Sequence, residues 1–314
     1  MTHTMRTFRG ERDLGPIVSL VGACQAVDQL DRPVRSQQLR EELLEPTLGW
    51  GRDIGLWQTD GDLMAFATIW VPPPTEIQDV YLWFIVHPSA RDGNLVDQII
   101  DWGERRGSDL AGENPTLTVS AGDDDRWQVR VIPRFGFAVE RYFLRMRRSL
   151  DEPLPYVELP DGYQIRPLVG PEETAAWVDI YNHAFGDHWE HIASTVEERR
   201  IEQGRDTYRA HLDLVAVAPD GTFVGFCAGT VARQDNGRLD PWIGLVGTHA
   251  NHRRKGIARA MIATAFALFR ADGFTNVQLS VDADSPTSAG SVYDALGFVV
   301  TRRITVYRRP IPRP

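Results

Sequence analysis

At 314 residues the chain is long enough for one large domain or two of ordinary size. Hydrophobic residues make up 42% and charged residues 25%, a globular balance, and no stretch reaches the roughly 18 apolar residues that span a bilayer. A net charge of −9 argues against general nucleic-acid binding, the two distant cysteines Cys24 and Cys227 argue against a disulfide framework or thiolate zinc site, and MTHTMRTFRGERD lacks the apolar core of a secretion signal. A cytoplasmic protein acting away from membranes and nucleic acids is expected.

In chain order the predicted elements run twice. Thr7-Phe8-Arg9 reads as a first strand. Asp60-Gly61 is a hairpin dipeptide, followed by the apolar strand LMAFATIWV (63–71) and by YLWFIVHP (81–88). VHPSARDGNL (86–95) leads into a stretch of helical period, and RFGF (134–137) closes the run. DEPLPYVELPDG (151–162), with three prolines among acids, reads as a linker. The second run begins at Gln164-Ile165-Arg166. It repeats the turn at Asp220-Gly221, the strands FVGFCAGTV (223–231) and WIGLVGTHA (242–250), and the closing ALGF (295–298). So long a repeat means two copies of a domain, expected at 1–150 and 163–314 with the linker at 151–162.

The second copy gives the clearer helices. Pro171 opens one, with Glu172 and Glu173 in its first turn and Trp177, Ile180, Tyr181 and Ala184 at helical spacing. From Gly256, the residues Ile257, Met261, Ala265 and Leu268 form one apolar face, and Gly273 stops it. Val277, Leu279 and Val281 alternate as a strand. Ser285-Pro286 starts a helix lined by Ala289, Val292 and Leu296 and ended by Gly297. The expected fold is α/β on a mixed sheet.

THANHRRKGIARAMI (248–262) carries chemistry. A strand runs through a short basic loop into a helix, whose first turn has unsatisfied N–H groups and the positive dipole end. A pyrophosphate docks there readily, and Gly256 lets it approach the backbone while Arg253, Arg254 and Lys255 add positive charge. Neither a Walker loop nor a GxGxxG fingerprint is present.

The spacing Arg253-x-x-Gly256-x-Ala258 resembles the [QR]-x-x-G-x-[GA] signature of the Gcn5-related N-acetyltransferase (GNAT) superfamily. VDADSPTSAGSVYDALGF (281–298) is similar to the other half of that family's cofactor site, with Ser285 where asparagine is frequent. The resemblance points to tandem-domain members of the mycothiol synthase type. It implies two tandem acyl-CoA N-acyltransferase domains, each a mixed, mostly antiparallel sheet flanked by helices.

The same resemblance implies acetyl-CoA as co-substrate, held by Val246, Gly247 and Thr248 along the pantetheine and by Arg253, Arg254, Lys255, Gly256, Ile257, Ala258, Ser285 and Ser288. Tyr293, four residues before Gly297, is the implied acid for the departing thiolate. For the base, Asp240 stands about where relatives place an acid, whereas Trp242 occupies a position where a carboxylate is expected. The segment AFGDHWEHIAS (184–194) offers His188, which titrates near the working pH. Phe185, Asp187 and Trp189 on this segment are the expected acceptor contacts. His183, His188 and His191 do not form an HExxH pattern, and no metal is expected.

The expected activity is acetyl transfer to a primary amine of a small molecule by direct attack in a ternary complex. A protein or peptide acceptor and a non-catalytic acyl-CoA-binding module are the alternatives, and a monomer or homodimer is expected. The first copy reads as degenerate. Val86 to Gly93 spans one residue fewer than Thr248 to Gly256, Asp92 sits in the loop, DDD (123–125) adds negative charge, and Ile132-Pro133 stands where the second copy has its tyrosine.

Overall fold

A computed structural model describes residues 3–28, 36–44, 51–72, 79–186, 193–234, 236–285 and 289–312. The chain divides into two compact units, Met1–Tyr142 with Arg302–Pro314, and Phe143–Thr301. Unit one begins with β1 (Thr4–Thr7), α1 (Glu11–Asp28), α2 (Ser36–Leu44), β2 (Gly51–Thr59), β3 (Asp62–Val71) and β4 (Asp79–Val86). It continues with α3 (Leu95–Leu110), β5 (Thr116–Gly122) and α4 (Arg126–Val131), and β6 (Ala138–Ser149) leads out of it. Unit two holds β7 (Gln164–Pro167), α5 (Thr174–Phe185), α6 (Val196–Gln203), β8 (Tyr208–Val217), β9 (Phe223–Arg233) and β10 (Leu239–Thr248). Then come α7 (Ile257–Ala271), β11 (Asn276–Asp282) and α8 (Ala289–Ala295), and β12 (Val299–Pro310) carries the chain back to unit one.

Strand order is β1-β2-β3-β4-β5-β12 in unit one and β7-β8-β9-β10-β11-β6 in unit two. The unit bounds therefore differ from the expected 1–150 and 163–314. Phe143 to Ser149 of β6 pairs with β11 in unit two, and Ile304 to Pro310 of β12 pairs with β5 in unit one. Each unit takes its last strand from the other copy of the repeat. The expected linker belongs to unit two, where Leu154 and Leu159 pack against the core.

In each unit helices cover both faces of the sheet. In unit one, Ile17 and Leu20 of α1 and Leu39 of α2 meet Leu56 and Phe66, while Ile99 and Ile100 of α3 meet Ala67 and Leu82 on the other face. In unit two, Trp177 and Ile180 of α5 meet Val215 and Phe226, and Met261, Ala265 and Phe269 of α7 meet Leu214 and Leu279. Strands buried on both faces read as continuous apolar runs, which is why β3 and β9 lack alternation. No described helix is long and apolar enough to cross a membrane.

Both copies open with the same device. Arg6 on β1 makes a two-pronged ion pair with Asp13 at the start of α1, and Arg166 on β7 does so with Glu173 just before α5. Each arginine holds its carboxyl below the usual carboxylate range. Most strand pairs are antiparallel. The parallel ones are β4 with β5, paired from Asp79 to Tyr81, and β10 with β11, bridged at Trp242 and Gln278. Beyond those points the parallel partners part, and β10 is further bent by a bulge between Ile243 and Leu245. The mixed, mostly antiparallel α/β fold agrees with expectation, and the fork between parting strands positions the site.

Candidate active site

In unit two the fork opens into a cavity of about 510 Å³. Its walls come from the end of α5 (Ala184, Phe185), the free edge of β10 (Val246, Gly247, Thr248), the following loop (Arg253, Arg254, Gly256), the start of α7 (Ile257, Ala258) and α8 (Val292, Tyr293). Eight of the expected cofactor residues thus line one cavity. Lys255 is not among the lining residues, and its ammonium donates to the Tyr163 hydroxyl at 3.3 Å. Ser285 does not line it either; its N–H donates to the Asp282 carbonyl. Ser288 lies outside the described residues.

The loop is shaped by its own hydrogen bonds. After β10 a single tight turn spans Ala250–His252, and the His249 ring accepts from the Asn251 N–H. Arg253 does not extend freely as a cation. Its Nε donates to the Thr248 carbonyl at 3.2 Å and its Nη2 to the Ala184 carbonyl at 3.0 Å, clasping strand end, loop and α5 together. Arg254 and Gly256 are both left-handed, at φ 63° and 80°. Alternating left-handed residues turn successive N–H groups into one concavity, a shape that suits an anion, and α7 adds its dipole. A Cβ on Gly256 would meet nothing closer than the Glu158 carbonyl at 3.9 Å, so the space above it is left for a ligand.

Tyr293 is 9% exposed, lines the cavity and meets Phe298 edge-on at 5.8 Å. Burial pushes its phenol far above the usual range, with Cys227 adding in the same direction, so the hydroxyl stays protonated at any working pH. Gly297, left-handed at φ 82°, ends the segment and fixes where Tyr293 stands.

Asp240 stands apart from this arrangement. It is 2% exposed and does not line the cavity. Its carboxylate accepts from Gln278 at 2.6 Å, Gln234 at 3.0 Å and the Trp242 indole at 3.1 Å. That is a buried junction at the base of the fork, away from the cavity lining. Asp187, His188 and Trp189 lie outside the described residues; Phe185, from which that segment continues, lines the cavity. Sequence reasoning missed His252, which lines the cavity beside the loop. Among the described residues no group of His, Cys, Asp and Glu could hold a metal.

Among the described residues, the matching fork of unit one holds only a small cavity. Its cavity is about 30 Å³, lined by Cys24, Asp28, Arg91, Trp127 and Gln128 among others. The loop is not shortened, contrary to the reading of Gly93. Arg91 Nε bonds the Val86 carbonyl as Arg253 Nε bonds that of Thr248, and α3 and α7 begin equally far beyond. Gly93 is shifted by one position, and no residue from Arg91 to Asn94 has a positive φ.

The acetyltransferase (GNAT) family matches residues 174–298. A mycothiol acetyltransferase of Thermobispora bispora is 30% identical over 232 residues, 72% of this chain and 74% of that one. One from Thermomonospora curvata is 32% identical over 56% of this chain and 58% of its own. Among solved structures, a GCN5-related N-acetyltransferase from Sphaerobacter thermophilus superposes with a TM-score of 0.77 at 27% identity, covering 99% of this chain and 96% of that one. A tandem GNAT protein from the clavulanic acid biosynthesis pathway shares the fold over all of both chains, with a TM-score of 0.78 at 14% identity. The chain belongs to the acetyltransferase (GNAT) family and is a tandem-domain N-acetyltransferase whose co-substrate is acetyl-CoA.

Proposed function

We propose that unit two alone transfers acetyl from acetyl-CoA to a primary amine of a small molecule, by direct attack within a ternary complex, and that unit one is a degenerate copy. The observation that carries this is the contrast between a cavity of about 510 Å³ lined by the loop, the free strand edge and Tyr293, and one of about 30 Å³ in the other unit. A co-substrate of this size needs the first and does not enter the second.

The roles follow from the chemistry. Loop N–H groups between Arg253 and Ala258 hold the pyrophosphate. The edge of β10 at Val246 to Thr248 has no described pairing with β11, so its N–H groups are available to the pantetheine and the thioester carbonyl. Oriented donors of this kind stabilise the developing oxyanion. The amine nitrogen attacks the carbonyl carbon, the C–S bond breaks, and Tyr293 protonates the departing thiolate. The attacking amine loses its proton to His188, which follows Phe185 by three positions in the sequence and titrates near the working pH.

The relatives named mycothiol acetyltransferases make acceptors of the mycothiol type the first to try. Thiol release from acetyl-CoA against a panel of small amines and peptide N-termini tests the proposal. Turnover confined to small amines supports it; turnover confined to peptides, or none with binding intact, overturns it. His188→Ala separates the base assignment: kcat falls and its dependence on pH flattens if His188 takes the proton.

A further inference from the structure

We propose that Tyr163, just before the first strand of the second copy, fixes the tautomer of His252 so that its Nε2–H is a dedicated donor to a phosphate of the co-substrate. This rests on the cavity of unit two being the acetyl-CoA site.

His252 lines that cavity, at the end of the turn that precedes Arg253. Its Nδ1 is 2.9 Å from the Tyr163 hydroxyl. The same hydroxyl receives a hydrogen bond from the Lys255 ammonium at 3.3 Å, and that ammonium lies 5.7 Å from the centre of the tyrosine ring. Tyr163 itself is half-buried against the core of unit two. An ammonium has donors only, so Lys255 must occupy an acceptor site on the phenol oxygen. The single phenolic hydrogen then goes to Nδ1. A neutral imidazole that accepts at Nδ1 carries its hydrogen on Nε2, which is the ring's remaining polar atom. The relay runs from Lys255 to Tyr163 to His252 and ends in a donor beside the anion-binding loop.

The surroundings lower the ring's pKa and so favour its neutral form. Desolvation, Lys255 and His249 push the imidazolium pKa down, and Asp220 opposes them weakly. His249 meets His252 edge-on at 5.8 Å, and His183 stacks on His249 at 5.7 Å. A phosphate oxygen accepts one such N–H without a counter-charge having to be created. The pyrophosphate and the 3′-phosphate of the nucleotide share this chemistry.

The test is calorimetric affinity for CoA and for dephospho-CoA in wild type, Tyr163→Phe, His252→Leu, His252→Gln and the Tyr163→Phe/His252→Leu double variant. Nitrogen NMR reads the His252 tautomer in the wild type. Tyr163→Phe is expected to weaken CoA roughly three- to tenfold, the scale of one hydrogen bond. His252→Leu does at least as much, the double variant is no weaker than His252→Leu alone, and His252→Gln, which keeps an N–H donor, recovers most of the loss. A loss that vanishes with dephospho-CoA assigns the contact to the 3′-phosphate, and an equal loss with both ligands assigns it to the pyrophosphate. Wild-type affinity in Tyr163→Phe, additive losses in the double variant, or hydrogen on Nδ1 in the wild-type ring overturns the proposal. Wild-type protein that binds neither ligand overturns the cofactor reading itself, and this inference with it.

Discussion

Arg91 and Arg253 do the same first job in the two copies. Each Nε donates to the carbonyl of the residue that ends the strand, Val86 or Thr248, at 3.2 Å. The turns that precede them match as well, with the His87 and His249 rings each accepting a backbone N–H two residues on. From there the copies part. The Arg91 guanidinium is held by both oxygens of Asp28, at 2.7 and 2.6 Å, and lies 4.5 Å from the centre of the Trp127 ring. The next residue is Asp92 in unit one, and in unit two it is Arg254 in a left-handed conformation. Counted back from the helix-ending glycines Gly136 and Gly297, Gln128 stands where unit two has Ala289, and Ile132 stands where it has Tyr293. Gln128 Nε2 donates to the Phe84 carbonyl at 2.9 Å, so a side chain occupies the strand edge that unit two leaves open. A cavity of about 30 Å³ holds little more than a water molecule. The scaffold and the cavity are separable: hydrogen bonds at strand and helix ends preserve the first, while two left-handed residues, one alanine and one tyrosine line the second in unit two.

The comparison is broken most severely at the loop. Gly256→Glu places a carboxylate against the phosphate, and acetyl-CoA affinity is expected to fall on the order of 10²-fold, about 2.7 kcal/mol. Circular dichroism should show the fold retained, because the added Cβ makes only ordinary contacts, with the Glu158 carbonyl at 3.9 Å and Val157 at 4.0 Å, and the strain of a side chain at φ 80° is confined to the loop. The matched change Asn94→Glu, at the start of α3, should leave the affinity unchanged. Next comes the acid. Tyr293→Phe is expected to lower kcat on the order of 10²-fold while the acetyl-CoA Kd stays within about twofold. Wild-type turnover in that variant would reassign Tyr293 to packing.

Opening the closed fork should not create a site. Gln128→Ala leaves the Phe84 carbonyl without its side-chain donor, and stability is expected to fall by about 1–3 kcal/mol. No second acetyl-CoA should bind, since the unit-one loop keeps Asp92 and lacks left-handed residues. A second binding event in that variant would show that the plug alone had closed unit one.

The smallest effect probes what the copies share. The carboxyls of Asp13 and Glu173 are both held below their ordinary values of 3.8 and 4.5. A carboxyl depressed on folding contributes stability above its unfolded pKa, and that contribution is lost as pH falls through the folded value. Arg6→Ala and Arg166→Ala should each lower the unfolding free energy near neutral pH, and the deficit should close as pH falls through the lowered folded values of the two carboxyls. A deficit that persists unchanged in acid would mean that the arginines act through packing.

Much of this was legible in the sequence, for reasons that differ by element. The strand, loop and helix around Gly256 were readable because an apolar 3.6-residue period starts directly after a glycine. The hairpins at Asp60-Gly61 and Asp220-Gly221 were readable from the left-handed geometry such dipeptides adopt. Which sheet β6 and β12 complete was not readable, because ERYFLRMRRS and TRRITVYRRP carry similar alternation and pairing partners leave no local trace. The left-handed Arg254 was hidden because only glycine announces that conformation. The partners of Asp240 were not readable, because a carboxylate at a family position says nothing of its neighbours, and Gln234, Trp242 and Gln278 turn it into a buried junction. In the first copy, Gly93 suggested a missing residue where the glycine had only moved by one.

The central claim is that one copy binds the co-substrate and the other only resembles it. Titration calorimetry of the intact chain with acetyl-CoA tests this most directly through its stoichiometry. The account predicts one site per chain, weakened on the order of 10²-fold by Gly256→Glu. Two sites per chain, or one whose affinity Gly256→Glu leaves unchanged, would contradict it.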